Sequence, residues 1–190
     1  MTANQPPWPR EWLMTDERIG ERLRDAIDAL PPGAGVVFRH YSLERGERAA
    51  LARQVADRCK RGELVLAVAG SVELAEELDA PLVHNPAGEG GTMAFSRSAH
   101  SIQEAKTAWD AGASLIFLSP IFPTWSHPDA APMAWDEVRA IVDASPVPVI
   151  ALGGMDRARF AEVTDVGFYG WAGIDAWLGG GPAFAISTRG

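Results

Sequence analysis

The residues best suited to chemistry stand where short apolar runs of the chain end. Residues 115–118 and 149–152 are such runs, and each stops at small or polar residues. Buried parallel strands have this pattern when their carboxyl ends open onto a ligand site. The positions at such ends are Arg39, His40, Ala69, Gly70, His84, Asn85, Ser98, Ser119, Gly153, Gly154, Gly173 and Ile174. The sequence therefore predicts a small-molecule site formed by strand ends.

Gly153 and Gly154 predict a phosphate site. They follow an apolar run and precede Asp156, at which a helix is expected to begin. Glycines let the backbone approach an anion, and the first turn of a helix offers free N–H groups. Gly173 and Ile174 lie in a second glycine-rich stretch one unit later, where barrel proteins often bind phosphate. A plain tight turn is the alternative interpretation of the glycine pair.

One arginine and three histidines could take part in binding or proton transfer. Arg39 ends an apolar run and could hold a phosphate or diphosphate through paired hydrogen bonds, although a salt bridge with Glu44 or another loop acid explains it equally well. His40, His84 and His127 each follow a strand end and could transfer a proton near neutral pH, and a structural role suits each of them too. No Cys or His spacing predicts a zinc site, and there is no P-loop or Gly-x-Ser-x-Gly motif.

Short apolar runs alternate with amphipathic stretches along the chain, which predicts an α/β protein. The expected strands are residues 12–15, 36–39, 64–68, 82–84, 92–95, 115–118, 147–152 and 168–172. The expected helices are residues 18–30, 47–60, 72–78, 101–111, 135–142 and 156–163. This alternation fits a (β/α)8 TIM barrel as a compact single domain over residues 11–190, after an extended lead-in over residues 1–10. An open doubly wound sheet fits the same alternation but usually has fewer strands.

The composition restricts the partners and the location. The 190 residues carry a net charge of −8 and are 47% hydrophobic, as in ordinary globular domains. The spread of acidic residues disfavours nucleic acid and anionic membrane surfaces as partners, but not a phosphorylated ligand. The single Cys59 has helical spacing from Val55 and is expected to be packed. With no disulfide, no signal-like start and no transmembrane run, a cytoplasmic protein is predicted.

Four segments in the second half of the chain carry a family resemblance. They are Ser-Ala-His at residues 98–100 with Glu-Ala at 104–105, Ser-Pro-Ile-Phe-Pro-Thr at 119–124, Ile-Ala-Leu-Gly-Gly-Met at 150–155, and Gly-Trp-Ala-Gly-Ile at 170–174. These segments resemble the fifth-strand signature, the Gly-Pro-Ile/Val-Phe-x-Thr loop, the phosphate turn and the last strand of the family of thiamine phosphate synthase and its relative thiazole tautomerase. The resemblance implies the (β/α)8 barrel as the fold.

The same resemblance implies two substrates, a hydroxymethylpyrimidine diphosphate and a thiazole phosphate. In the synthase, diphosphate leaves the pyrimidine with help from magnesium, and the thiazole nitrogen captures the cation. The implied catalytic residues are Arg39, Ser98 and His127, of which His127 stands where the family has a lysine. The implied substrate-binding residues are Thr124 and Ser126 on the diphosphate side, and Gly153, Gly154, Gly173 and Ile174, with Asp175, at the thiazole phosphate.

The first half of the chain departs from the family pattern. The family has Asn-Asp after the third strand, where the Asp binds magnesium, and this chain has Ala69 and Gly70. A second magnesium-binding acid falls within residues 84–88, which contain none, and two diphosphate-binding lysines are also replaced. No metal ligand is therefore assigned. Magnesium use stays open, with Glu89 or Asp129 as substitutes for the missing acids.

Three hypotheses follow from this mixture of matches and departures. The first is a thiamine phosphate synthase-like transferase of thiamine biosynthesis. The second is a metal-independent tautomerase-like enzyme with a relocated histidine, since the catalytic histidine of that relative falls at Pro120. The third is a non-catalytic barrel that binds a phosphorylated ligand. In each case the partner is a small phosphorylated heterocycle, and apolar residues expected on the short helices would suit a homodimer.

Overall fold

The computed structural model describes residues 8–88, 91–124 and 131–178 and contains eight parallel strands closed into a barrel. In chain order the strands are β1 (Glu11–Met14), β2 (Gly35–Phe38), β3 (Val65–Ala69), β4 (Leu82–His84), β5 (Phe95–Ala99), β6 (Leu115–Leu118), β7 (Val149–Ala151) and β8 (Gly170–Gly173). Leu13 of β1 pairs with both Val36 of β2 and Gly173 of β8. The sheet has no open edge, which confirms the predicted barrel and excludes the doubly wound sheet.

Six α-helices and three 3₁₀ helices accompany the strands in the described part of the chain. They are α1 (Leu23–Asp28), α2 (Arg45–Arg61), α3 (Val72–Glu77), α4 (Ile102–Asp110), α5 (Trp135–Ala144) and α6 (Arg157–Glu162), with 3₁₀ helices at Glu17–Arg22, Thr164–Val166 and Asp175–Trp177. The side chains of Ser71, Ser101 and Asp156 each accept the N–H of the residue three positions later, so they cap α3, α4 and α6. Glu104 accepts the N–H of His100 at 2.8 Å, one residue before the cap.

The prediction of a fifth strand over residues 92–95 is wrong, because β5 spans Phe95–Ala99. Alternate residues of a barrel strand face the interior, and in β5 one of these is the polar Ser96, which is fully buried. Ser96 is satisfied there by His84, whose Nδ1 lies 3.0 Å from its hydroxyl oxygen. A search for apolar runs misses a strand whose inward residues are serines paired with a neighbouring strand.

Two further predicted boundaries are corrected. The single helix expected over residues 18–30 is divided into the 3₁₀ helix Glu17–Arg22 and α1, because Gly20 has the non-helical angles φ 54° and ψ −131°. The last strand begins at Gly170 and not at residue 168, although Phe168 is still buried. The first error joins two helices into one and the second shifts the start of a strand, and neither changes the order of the strands.

The apolar core has an inner and an outer shell. Leu13, Val36 and Phe38 belong to the outer shell, between the strands and the helices, while Trp12 and Phe117 lie inside the barrel. The indole of Trp12 occupies the space where a Cβ at position 35 would stand, so this position on the neighbouring strand must be glycine. The indole N–H donates to the carbonyl of Pro9 at 2.7 Å, which fixes the ring near the amino end of the barrel.

Cys59 lies on α2 and is 2% exposed, as predicted for a packed thiol. Burial raises the pKa of this thiol to about 12, so it is protonated and unreactive at neutral pH. Within the described ranges, no helix has both the length and the apolar character needed to cross a membrane.

Candidate active site at the mouth of the barrel

A column of rings runs along the inside of the barrel and ends at its mouth. Trp12 and Phe117 meet edge to face with ring centroids 5.5 Å apart, and Phe117 meets His84 in the same way at 5.2 Å. His84 is the last residue of β4, so its imidazole is the polar end of an otherwise apolar column. Every second residue of a strand faces the same side of the sheet. Arg39 and Ser98 stand two positions after Val37 and Ser96, which face the barrel interior, so they lie at the mouth as well.

Four polar residues at the ends of β4 and β5 form one hydrogen-bonded cluster. His84 Nδ1 lies 3.0 Å from Ser96 Oγ, and His84 Nε2 lies 3.3 Å from Ser98 Oγ. Asn85 Nδ2 lies 3.2 Å from both His84 Nε2 and Ser98 Oγ. Asn85 Oδ1 accepts the backbone N–H of Ser98 at 2.9 Å. The cluster joins the predicted residue Ser98 to Asn85 and Ser96, which the sequence leaves without a role.

His84 is neutral over the physiological pH range. It is 1% exposed, and burial lowers the pKa of its imidazole from 6.5 to about 3, with smaller contributions from the charges of Arg39 and Arg97. A general acid or base works best when its pKa is near the working pH. His84 is therefore better suited to fixing its neighbours by hydrogen bonds than to shuttling protons.

Arg39 stands at the end of β2, where its guanidinium lies at the mouth and also pairs with an acid of the loop after β1. Its Nε–H donates to the carbonyl of Thr15 at 2.8 Å, and one Nη2 hydrogen donates to Asp16 at 3.2 Å. The loop acid of the salt-bridge alternative is thus Asp16 and not Glu44. A guanidinium has five N–H groups, so three remain without a recorded acceptor among the described residues. Burial lowers the pKa of Arg39, Asp16 offsets this, and the group stays charged.

His40 does not reach the mouth. It is 5% exposed, its ring stacks on Phe38 of the outer shell at 5.0 Å, and its Nδ1 lies 3.0 Å from Thr15 Oγ1. Burial lowers the pKa of His40. Its position between the sheet and the helices separates it from Arg39 and Ser98, which face the interior.

The Gly153–Gly154 turn packs directly against the loop that follows β6. Both glycines have positive φ angles, 94° and 60°, and the carbonyl of Gly153 accepts the N–H of Phe122 at 3.1 Å. A Cβ on Gly153 would lie 2.8 Å from the Cα of Pro120, and one on Gly154 would meet the carbonyl of Pro123. Neither glycine N–H has a recorded acceptor within the described part of the chain. The turn needs glycine for close packing, and no described residue accepts a hydrogen bond from its amides.

The second predicted phosphate loop lies beside the first. A Cβ on Gly173 would be 3.0 Å from the carbonyl of Met155, the residue that follows the glycine pair. Ile174 follows β8 and is half-buried, while Asp175 is exposed in the first turn of a 3₁₀ helix. The structure therefore brings together the β7 and β8 ends that the sequence assigns to one phosphate, and Asp175 is directed to solvent.

The position of the family's magnesium-binding Asp carries no oxygen ligand on a side chain. Ala69 is fully buried, and its carbonyl accepts an N–H of Arg48 at 2.6 Å. Gly70 follows with φ 79° and donates its N–H to the carbonyl of His84 at 2.8 Å. Nowhere in the described ranges do three His, Cys, Asp or Glu side chains gather as a metal site would require. The described residues at this position do not fit a magnesium ion.

Three predicted site residues, Thr124, Ser126 and His127, belong to the loop after β6, of which residues 125–130 are not described. Thr124 is half-buried at the end of the described segment 91–124. Ser126 and His127 lie outside the described residues. The sequence reasoning also missed Asp16, whose pKa is held below its ordinary value because hydrogen bonds and charge from Arg18, with the charge of Arg39, outweigh the opposing effect of burial. The available signal for Asp16 was only its place after β1, since strand ends converge at the mouth.

Known proteins resemble this chain over nearly its whole length. Residues 12–177 match a family model described as thiamine monophosphate synthase. The chain is 30% identical over 181 residues to the thiamine-phosphate synthase of Chloroflexus aurantiacus, covering 88% of this chain and 84% of that protein. It is 32% identical over 146 residues to the thiamine-phosphate synthase of Geobacillus kaustophilus, covering 71% and 66%. A solved structure of thiamine phosphate pyrophosphorylase from Pyrococcus furiosus has a TM-score of 0.78 at 22% identity, covering 92% of this chain and 89% of that one, and so shares the fold.

Proposed function

Because the chain belongs to the thiamine monophosphate synthase family, we propose that it forms thiamine phosphate from a pyrimidine diphosphate and a thiazole phosphate at the barrel mouth. In this reaction the bond between the pyrimidine's methylene carbon and the diphosphate oxygen breaks, and diphosphate leaves with the electron pair. The thiazole nitrogen then forms the new carbon–nitrogen bond. The observation that carries the proposal is the pair of adjoining glycine loops after β7 and β8.

The glycine loops are the proposed binding site for the thiazole phosphate. The N–H groups of Gly153 and Gly154 have no acceptor among the described residues, and Gly173 packs against Met155, the residue after Gly154. Backbone amides converging from two turns bind a phosphate without a charged side chain. Ile174 extends this loop, and the Asp175 side chain that follows it is exposed to solvent.

Arg39 and Ser98 are proposed to bind the departing diphosphate. Arg39 has N–H groups that the described contacts with Thr15 and Asp16 do not use, and a guanidinium binds phosphate oxygens in pairs. Ser98 adds a hydroxyl from the end of β5. Thr124, Ser126 and His127 are proposed to complete this site from the loop after β6. Their task is to stabilise the negative charge that develops on the leaving group.

A second candidate is a barrel that binds the phosphorylated ligand without turnover. It is favoured by the absence of a carboxylate at Ala69 and Gly70, since a departing diphosphate needs charge compensation that these residues do not provide. The tautomerase alternative has less support. Its proton shuttle would have to be His127, because burial holds His84 neutral and His40 lies outside the barrel.

The test is the formation of thiamine phosphate from the two substrates, measured with magnesium and with a chelator, together with calorimetry of thiazole phosphate binding. Metal-dependent turnover supports the synthase and implies that acids elsewhere in the chain replace the missing ones. Binding of thiazole phosphate without turnover at any magnesium concentration supports the binding barrel. If neither turnover nor binding is found, the proposed site is wrong.

A cytoplasmic homodimer is the proposed state of the protein. The buried, reduced Cys59 suits a reducing compartment. Ile102 and Trp135 are exposed apolar residues at the starts of α4 and α5, where a second copy could cover them. Sedimentation velocity over a range of concentrations decides this, since a monomer at every concentration contradicts the homodimer.

A further inference from the structure

The carboxamide of Asn85 has only one orientation that satisfies its contacts. Asn85 follows β4 in the left-handed region, with φ 47°, and this conformation places its side chain across the end of β5. Its Oδ1 accepts the backbone N–H of Ser98 at 2.9 Å. Because the backbone N–H can only donate, the oxygen must face it and the amide nitrogen must face the other way.

This orientation fixes the tautomer of His84. The amide nitrogen of Asn85 only donates, and it lies 3.2 Å from His84 Nε2. If Nε2 carried a hydrogen, two donors would face each other with no acceptor between them. The neutral imidazole must carry its single proton on Nδ1, where it donates to Ser96 Oγ at 3.0 Å. The lone pair of Nε2 is then taken by Asn85.

The same arrangement determines where the proton of Ser98 can go. Ser98 Oγ accepts from Asn85 Nδ2 at 3.2 Å, and among the described residues His84 Nε2 also lies within hydrogen-bonding distance of it, at 3.3 Å. An imidazole nitrogen has one lone pair, and the amide of Asn85 competes for it. When the amide of Asn85 holds that lone pair, the hydroxyl of Ser98 has its proton to donate to a ligand at the mouth.

We propose that Asn85 is a positioning residue that occupies the lone pair of His84 and so makes the Ser98 hydroxyl a donor to the oxygen of a diphosphate ligand. This inference rests on the proposed function, since it assigns Ser98 a role toward the diphosphate. Without the amide of Asn85, His84 Nε2 accepts a hydrogen bond from the Ser98 hydroxyl, and the hydroxyl then no longer donates to the ligand. Asn85 itself touches no ligand in this scheme.

The test is a double-mutant cycle on Asn85 and Ser98, with inorganic pyrophosphate as the probe and calorimetry as the measurement. Asn85→Gly removes the carboxamide and keeps the left-handed backbone, while Ser98→Ala removes the hydroxyl. We expect each to weaken pyrophosphate binding about tenfold, the size of one hydrogen bond to a charged group. If Asn85 acts through Ser98, Asn85→Gly costs less than about twofold in the Ser98→Ala background. Equal losses in both backgrounds, or no loss from Asn85→Gly, overturn the proposal.

The matched control is Asp79→Gly, because Asp79 is another residue with a positive φ, 52°, and lies away from the mouth between α3 and β4. It relaxes the backbone by the same kind of substitution and should leave pyrophosphate binding unchanged. A loss equal to that of Asn85→Gly would attribute the effect to backbone flexibility and overturn the positioning role.

Nitrogen NMR of His84 in the ligand-free protein tests the tautomer separately. The proposal expects an unprotonated Nε2 in the wild type and in Ser98→Ala. In Asn85→Asp, an oxygen replaces the donor, so Nε2 should gain the proton. A protonated Nε2 in the wild type overturns the proposal even if pyrophosphate binds. If the wild type binds no pyrophosphate while Nε2 is unprotonated, the diphosphate half of the proposed function fails, and the ligand role of Asn85 fails with it.

Discussion

The two sides of the barrel mouth present different kinds of groups, backbone amides on one side and side chains on the other. On the β7–β8 side, the candidate site consists of backbone N–H groups in glycine turns, held by packing against residues 120–123. On the β2–β5 side, it consists of side chains that are already bonded to one another, such as Arg39 to Asp16 and His84 to Ser96. A backbone site depends on local turn geometry, whereas a side-chain site depends on which partners each group keeps. The second side is therefore the one in which activity can be gained or lost by substitution at a distance.

The two sides also differ in the groups that would meet a ligand. On the glycine side these are backbone N–H groups, which do not titrate, and the guanidinium of Arg159 donates to the carbonyl of Gly154 beside them. On the other side, the guanidinium of Arg39 is partly neutralised by Asp16, and burial holds the imidazole of His84 neutral. The following predictions test whether the two sides are independent.

The largest effect is expected from Gly154→Ala. The added Cβ would meet the carbonyl of Pro123 and lie 3.0 Å from Cβ of Phe122, at a φ of 60°. Left-handed strain and overpacking together should lower the free energy of unfolding by about 2–4 kcal/mol and abolish thiazole phosphate binding. Urea denaturation and calorimetry measure the two quantities. Gly33→Ala is the control, because Gly33 has a φ of 81° with open space around its Cβ. Equal destabilisation by both would refute the packing role of the turn.

Arg39→Met should weaken pyrophosphate binding by about 10- to 100-fold, as expected for a lost hydrogen bond to a charged ligand, and should leave thiazole phosphate binding unchanged. The control is Arg18→Met, because Arg18 also pairs with Asp16, at 2.9 Å, but has a half-exposed side chain. Calorimetry with each ligand separates the two sides of the mouth. An equal loss from both variants would mean that general charge, and not the position of Arg39, binds pyrophosphate.

The buried imidazole should make the fold sensitive to acid. Because burial lowers the pKa of His84 from 6.5 to about 3, the unfolded chain takes up a proton first as the pH falls. The free energy of unfolding should therefore decrease below the ordinary imidazole pKa, by about 1.4 kcal/mol per pH unit for this one group. Urea denaturation between neutral and acid pH checks this. In His84→Gln, the slope of the free energy of unfolding against pH should fall by the contribution of one proton. An unchanged slope in that variant would mean that His84 is charged in the folded protein.

Asp16→Asn should have a smaller effect on pyrophosphate binding, opposite in direction to that of Arg39→Met. This substitution keeps the shape of the side chain and removes the carboxylate that competes for Arg39 at 3.2 Å. Pyrophosphate affinity should rise by about two- to fivefold, the range of a partly exposed ion pair. If the affinity falls instead, Asp16 serves to orient Arg39 and does not compete with the ligand.

The barrel and the position of the glycine turn could be predicted from the sequence because their signals are local. Apolar runs in order define every strand except β5, and the glycine pair with its Asp156 cap lies within a few residues. The other side could not be predicted to the same extent. Arg39 meets an acid 23 positions earlier, and the roles of Asn85 and Ser96 depend on the register that pairs His84 with Ser96. Misplacing β5 by a few residues was enough to hide that register.

The contact between Trp12 and Gly35 has a consequence for sequence variation among relatives. The indole fills the space that a side chain on the neighbouring strand would need, so neither residue can change alone without a collision or a cavity. Relatives with a larger residue at the position of Gly35 should carry a smaller one at the position of Trp12. The two positions should therefore covary across the family, as a pair inherited together on adjacent strands.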